Sequence, residues 1–251
     1  MVSGAVPASE GDSMRLSMAR SYGTFAIWVE GRLTSFVHIL VLTMALTAAA
    51  SATAGSPAGT DARPIKMVVL GDSLSAGLGL SASDAFPARL QKALKDKGIN
   101  VEMSNAGVSG DTASGGRDRL DWSVPEGTQA VIVELGANDA LRGLDPAVTR
   151  AALSDILTRL KARNIAVMLC GMMAPPNYGR DYAQRFNTIY PDLAKSFGVP
   201  LYPFFLDGVA ADAKLNQADG IHPTPQGVDI IVNNIMPTVE AFLGPLRGQQ
   251  P

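Results

Sequence analysis

Cysteine occurs once in the 251 residues, at Cys170, so the chain forms no intramolecular disulfide and must be stable without one. Its neighbours Ala166-Val167-Met168-Leu169 read as a buried strand, which makes Cys170 a small core residue before a nucleophile. Histidine occurs twice, as His38 and His222. With one isolated cysteine beside them, the ligand supply is too thin for a zinc cluster. Charged residues make up 18% of the chain, the formal net charge is −2, and Lys and Arg form no dense run. That balance argues against nucleic acid as the main partner. No glycine-rich turn carries a Walker lysine or the complete dinucleotide spacing, so nucleotide binding finds little support.

Long apolar runs are also scarce. The one that stands out, Phe36 to Ala50, follows Arg32 and ends in alanines, with Ala50-Ser51-Ala52 or Ala52-Thr53-Ala54 as a small-residue cleavage site. Its strongly apolar part is shorter than the roughly 20 residues a spanning helix needs, so it reads as a secretory signal peptide, with a retained membrane anchor as the alternative. The expected location is periplasmic or secreted. Met14 and Met18 are alternative starts. Residues 1–54 are thus an N-terminal extension, 55–64 a small, polar, proline-punctuated linker, 65–246 the folded domain and 247–251 a tail. A 47% hydrophobic content supports one sizeable core, and nothing suggests a second domain.

What is present is an alternation of short apolar runs and helical patterns. Ile65 to Leu70, Ile99 to Met103, Ala130 to Leu135, Ile165 to Cys170 and Val199 to Tyr202 read as five strands. Between and after them, helices are expected over Asp84 to Lys97, Ala113 to Trp122, Pro146 to Ala162, Tyr182 to Phe197 and Gln226 to Leu243. Val148, Ala152, Ile156 and Leu160, with Leu153 and Leu157, should form the apolar stripe of the third. Gly115 and Gly116 weaken the second, and Pro191 should kink the fourth. Strands alternating with helices imply a parallel five-stranded sheet with helices on both faces, a three-layer α/β/α sandwich.

Polar blocks follow three of these strands: Gly71-Asp72-Ser73, Gly107 to Asp111 and Gly136 to Asp139. In a parallel sheet such loops converge on one edge. Ser73 has two readings there, a helix N-cap accepting orphan amide hydrogens or a nucleophile whose oxyanion lies against them. A fourth block, Asp219-Gly220-Ile221-His222, precedes the last helix and holds the one histidine outside the signal segment. Asp219, three residues from His222, can hold its tautomer, which raises the catalytic reading over that of a surface histidine. Gly110 and Asn138, taken singly, are an ordinary turn glycine and a turn-stabilising side chain.

The four blocks together, in this order, resemble the SGNH (GDSL) hydrolases. VELGANDALRG, APPNYGRDYAQRFNTIYPDLA and DGIHPTPQG are similar to their bacterial arylesterase, lysophospholipase and acyl-CoA thioesterase I subgroup. The resemblance covers roughly Ile65 to Leu246. It implies a flavodoxin-like fold, Ser73 as nucleophile, His222 as base and acid, Asp219 as its orienting partner, and an oxyanion hole from the N–H of Ser73, the N–H of Gly110 and the amide of Asn138. It implies no metal or organic cofactor, and as partner a small-molecule or lipid ester substrate, with transient membrane-lipid contact. The subgroup places the acyl pocket near Leu141, Leu144, Met172, Met173, Pro175 and Tyr178. Acyl transfer through Ser73 is the expected chemistry. A carbohydrate O-acetyl esterase with the same triad is the nearest alternative, and a non-catalytic binding module a more distant one. An α/β-hydrolase elbow would need a second glycine after Ser73, where Ser75 stands.

Overall fold

Each expected strand is present in the computed structural model, which describes residues 63–248. β1 (Ile65–Gly71), β2 (Val101–Gly107), β3 (Ala130–Glu134), β4 (Ala166–Cys170) and β5 (Leu201–Tyr202) pair in parallel in the order β2-β1-β3-β4-β5. This is the flavodoxin-like order, whose direction of winding reverses between β1 and β3. Every residue of β3 is buried, the apolar run Ala130 to Val133 as the centre of a parallel sheet requires and Glu134 at its end with it. The N-terminal extension, the signal segment with His38 and most of the linker lie outside the described residues.

Around the sheet run α1 (Ser73–Ala76), α2 (Phe86–Asp96), α3 (Ala113–Asp118), α4 (Leu120–Ser123), α5 (Ala137–Leu141), α6 (Pro146–Ala162), a 3₁₀ turn (Pro176–Tyr178), α7 (Gly179–Asn187), α8 (Ile189–Phe197) and α9 (Pro225–Arg247). α2 packs on α9, while α6 packs on α3 and α8, and the two groups flank the sheet. The core is continuous, with Phe86 meeting Phe205 edge to face at 4.9 Å between ring centres. No helix among the described residues is long and apolar enough to cross a membrane.

Several boundaries differ from expectation for identifiable reasons. β2 runs on to Gly107 because it is the edge strand: Glu102, Ser104 and Asn105 are exposed while the backbone stays paired with β1. β5 begins two residues later than Val199 because Pro200 has no N–H to donate, although its carbonyl still accepts from Leu169. The helix over Tyr182 to Phe197 is two helices that meet at Thr188, the turn before Pro191, whose ring excludes a regular bond there. The one over Ala113 to Trp122 likewise divides at Arg119. On α6 it is Thr149 that is buried, while Val148 is exposed. α9 stays continuous through Pro237 and Pro245 and reaches Arg247, one residue into the expected tail. Each helix-interior proline costs about 3 kcal/mol. Ile231, Val232, Ile235, Val239, Phe242 and Leu243 on the same helix are buried at about 1.5–3 kcal/mol each, and so outweigh both.

Candidate active site

At the end of β1 the chain reverses so tightly that a side chain on Gly71 would fall 2.2 Å from the Ser75 hydroxyl oxygen. Asp72 then caps α1, its Oδ1 accepting the Leu74 N–H at 3.0 Å. The capping role therefore belongs to Asp72, which leaves the Ser73 hydroxyl free for another partner. That partner is His222, whose Nε2 lies 2.8 Å from Ser73 Oγ across 149 residues of sequence. On the far side of the ring, Nδ1 lies 2.6 Å from Asp219 Oδ2.

The Asp219 carboxylate also accepts the backbone N–H groups of Ile221 and His222, at 3.0 and 3.1 Å. These bonds, the Ile221 N–H foremost and the His222 ring next, hold its pKa down at about 2. An ionised Asp219 can only accept, so Nδ1 carries the ring proton and Nε2 accepts from the serine hydroxyl. The arrangement can accept a proton from Ser73 and stabilise the resulting imidazolium.

Gln217 brings the histidine loop to the sheet edge. Its backbone N–H donates to the His222 carbonyl at 2.7 Å, and its side-chain amide donates to the carbonyls of Leu78 and Pro223 at 2.8 and 3.0 Å. Leu78 lies in the loop that follows α1, so one side chain joins the His222 loop to the segment that carries Ser73. Sequence reading missed Gln217, which has no motif to announce it.

Gly110 adopts a φ of 85°, its carbonyl accepts from Arg142 at 2.8 Å, and its N–H has no acceptor among the described residues. Ser73 occupies the first position of α1, where the backbone N–H has no partner within the helix. Asn138 is the third expected donor. Its Nδ2 donates to the Asp111 carbonyl at 2.9 Å and, at the longer distance of 3.2 Å, to Asp72 Oδ2. Next to it, buried Asp139 accepts the Ala113 N–H and the Thr149 hydroxyl, both at 2.8 Å, tying α3 and α6 to this edge.

Two carboxyls lie buried beneath the serine turn. Asp72 is fully buried, and loss of water raises its pKa to about 6 against the opposing pull of the Leu74 N–H and the Asn138 amide. Glu134, paired in register with Gly71, is pushed well above the ordinary range by burial and then by the charge of Asp72. It accepts the Ser75 hydroxyl at 2.6 Å, and its other oxygen has no partner. Of the two, Glu134 is the one whose carboxyl burial and the neighbouring charge both push toward the protonated form.

Beside Ser73 and His222 opens a cavity of about 290 Å³. Leu141, Met172, Met173 and Pro175 line it as expected, and so does Asn138. Leu144 and Tyr178 do not. Leu144 is turned back by a bond from its N–H to the Asp139 carbonyl, and the Tyr178 ring packs under Gly143 with its hydroxyl donating to the Leu141 carbonyl at 2.8 Å. The opposite wall is Phe204, Leu206, Ala210, Ala211 and Ile221, none of them foreseen.

Residues 69–230 match the GDSL-like lipase/acylhydrolase family. The chain belongs to that family. Among its members, esterase TesA of Pseudomonas aeruginosa is 40% identical over 178 residues, covering 70% of this chain and 89% of the relative. A thioesterase 1/protease 1/lysophospholipase L1 of Escherichia coli is 45% identical over 158 residues, 62% of this chain and 74% of the relative. The crystal structure of AlinE4, an SGNH-hydrolase family esterase, superposes with a TM-score of 0.61 at 44% identity, covering 72% of this chain and 97% of that one. As a member of the GDSL-like family, the chain is a serine ester hydrolase.

Proposed function

We propose that this enzyme hydrolyses carboxylic esters and thioesters of apolar acyl chains through an acyl-enzyme on Ser73. The observation that carries the reading is the unbroken relay from Ser73 Oγ through both nitrogens of His222 to Asp219, with spacings of 2.8 and 2.6 Å. His222 Nε2 takes the hydroxyl proton as Oγ attacks the substrate carbonyl, and Asp219 stabilises the imidazolium. The N–H groups of Ser73 and Gly110 and the amide of Asn138 receive the oxyanion, which displaces the longer Asn138 bond to Asp72. Collapse expels an alcohol or thiol that takes its proton from His222. Water, activated by the same imidazole, then releases the acid.

The lining of the cavity supports acyl groups longer than acetyl: Met172, Phe204, Leu206 and Ile221 offer an apolar wall and no charged group. Aryl esters, lysophospholipids and acyl thioesters fit that chemistry, in line with the names its relatives carry. The apolar run over Phe36 to Ala50, with small residues behind it, supports action outside the cytoplasm, in the periplasm or secreted.

The test is hydrolysis of p-nitrophenyl esters from acetate to palmitate, with Ser73→Ala alongside and acetylated sugars as a second substrate set. Turnover that peaks above acetate and vanishes in Ser73→Ala is expected. Activity confined to sugar acetates would replace this reading by that of a carbohydrate O-acetyl esterase, and Ser73-independent turnover would remove the nucleophile.

A further inference from the structure

Arg119 stands where α3 gives way to α4, and although it is a cation only 6% of its surface is exposed. Its guanidinium reaches beneath the ends of the first two strands. Nε donates to Asp111 Oδ2 at 2.5 Å. Nη1 donates to the Ala106 carbonyl at 2.8 Å and to Ser123 Oγ at 2.9 Å, and Nη2 to the Gly71 carbonyl at 2.8 Å. A buried guanidinium needs partners for its N–H groups wherever it lies, because an unpaired one is costly away from water. Here most of the partners share one property. Gly71 immediately precedes the serine turn, Ala106 is the penultimate residue of β2 before the loop to Gly110, and Asp111 immediately follows Gly110.

The Asp111 main chain carries the effect further, since its carbonyl accepts the Asn138 amide at 2.9 Å. The Asp111 carboxylate cannot easily shift, because Arg119 holds one oxygen and a side chain on Gly115 would fall 2.6 Å from the other. From its other end the Gly110 peptide is held through its carbonyl by Arg142. The donors expected to receive the oxyanion thus hang on a segment whose anchor is one planar, five-donor group.

We propose that Arg119 is a positioning residue for the oxyanion hole: by fixing Asp111 against the ends of β1 and β2 it aims the Gly110 N–H and the Asn138 amide at a single point. The proposal rests on the reading of Gly110 and Asn138 as oxyanion donors. Lysine cannot substitute, because a point charge with three donors does not span a carboxylate and two strand carbonyls at fixed angles. The effect is confined to the transition state. Substrate binding in the apolar cavity does not pass through this segment, so KM is insulated while kcat is not.

The experiment measures kcat and KM on p-nitrophenyl butyrate, well below the melting temperature, for Arg119→Lys, Asp111→Asn and Asn138→Ala, and for each of the first two combined with the third. Asp111→Asn leaves the guanidinium on its carbonyls and weakens only the ion pair, so it reports even where Arg119→Lys does not fold. Either single change is expected to lower kcat by about 10- to 100-fold, as displacements of about 1 Å do, with KM within about twofold. In the Asn138→Ala background the same change should cost less, since one of the two donors it aims is gone while the Gly110 N–H remains. Loss of thermal stability with kcat retained would make Arg119 a purely structural cation. Wild-type kcat in Arg119→Lys would show that charge suffices and overturn the role of the fork. Normal turnover in Asn138→Ala alone would remove the underlying oxyanion reading, an outcome separate from the others.

Discussion

Replacing Asp72 by Asn isolates the cost of keeping a carboxylate beneath the Ser73 turn. The side chain is fully buried, and its pKa rises from 3.8 to about 6, chiefly through loss of water. Folding therefore takes up a proton between these values. The stability this group contributes is fully present below about pH 4 and is lost as the pH rises through about 6. The difference of about two units, at 1.36 kcal/mol each, amounts to about 3 kcal/mol. In a domain of this size that moves the melting temperature by about 6–12 °C. Asp72→Asn has no proton to lose, so its melting temperature should rise relative to wild type by about that much between pH 4 and pH 8. Glu134 acts in the same direction, because removing the Asp72 charge withdraws one cause of its own raised pKa. Thermal unfolding of both proteins across that range, in one buffer series at constant ionic strength, measures the gap. Parallel curves separated by a constant offset would refute the argument.

Asp219→Asn should lower kcat by about 10³–10⁴-fold, because the amide no longer fixes the ring tautomer, yet leave the melting temperature nearly unchanged, since a pair whose carboxylate is nearly half exposed contributes little stability. Retention of more than a tenth of kcat would detach Asp219 from the relay. Gly136→Ala should destabilise the fold by at least about 2 kcal/mol in urea unfolding. The residue sits at a φ of 115°, and the added methyl would fall 2.1 Å from the Tyr190 hydroxyl that holds the Leu135 carbonyl. A change below about 0.5 kcal/mol would show that the turn relaxes freely.

The parts of this molecule that were legible in sequence are those where chemistry and periodicity coincide. α6 was placed to the residue, because Asp145 and Pro146 signal its start and the 3.6-residue pattern lasts for seventeen residues. Ser73, Asp219 and His222 stood out as polar groups just past apolar runs or just before a helix. The edge strand β2 reads short because toward its end both faces are open: the adjacent Ser104 and Asn105 point to opposite sides and are both exposed, so they read as loop. Arg119, Glu134 and Gln217 escaped notice for a different reason. A charged or amide residue in an otherwise ordinary stretch looks solvated, and only the three-dimensional path shows Arg119 and Glu134 buried and all three bonded to other loops. The far wall of the cavity, Phe204 to Ala211, has no regular period, and nothing in its pattern announces which side chains turn inward.

The staple that Gln217 forms between the loops of Leu78 and His222 joins points close to the two ends of the folded domain. Bringing them together requires closing a loop through nearly the whole sheet, so this contact forms after the strands between have paired. A nascent or partly threaded chain that has not yet delivered Asp219 and His222 leaves Ser73 without the imidazole that lies 2.8 Å from its hydroxyl in the finished fold, even where Phe204 to Ala211 have already closed most of the far wall of the cavity.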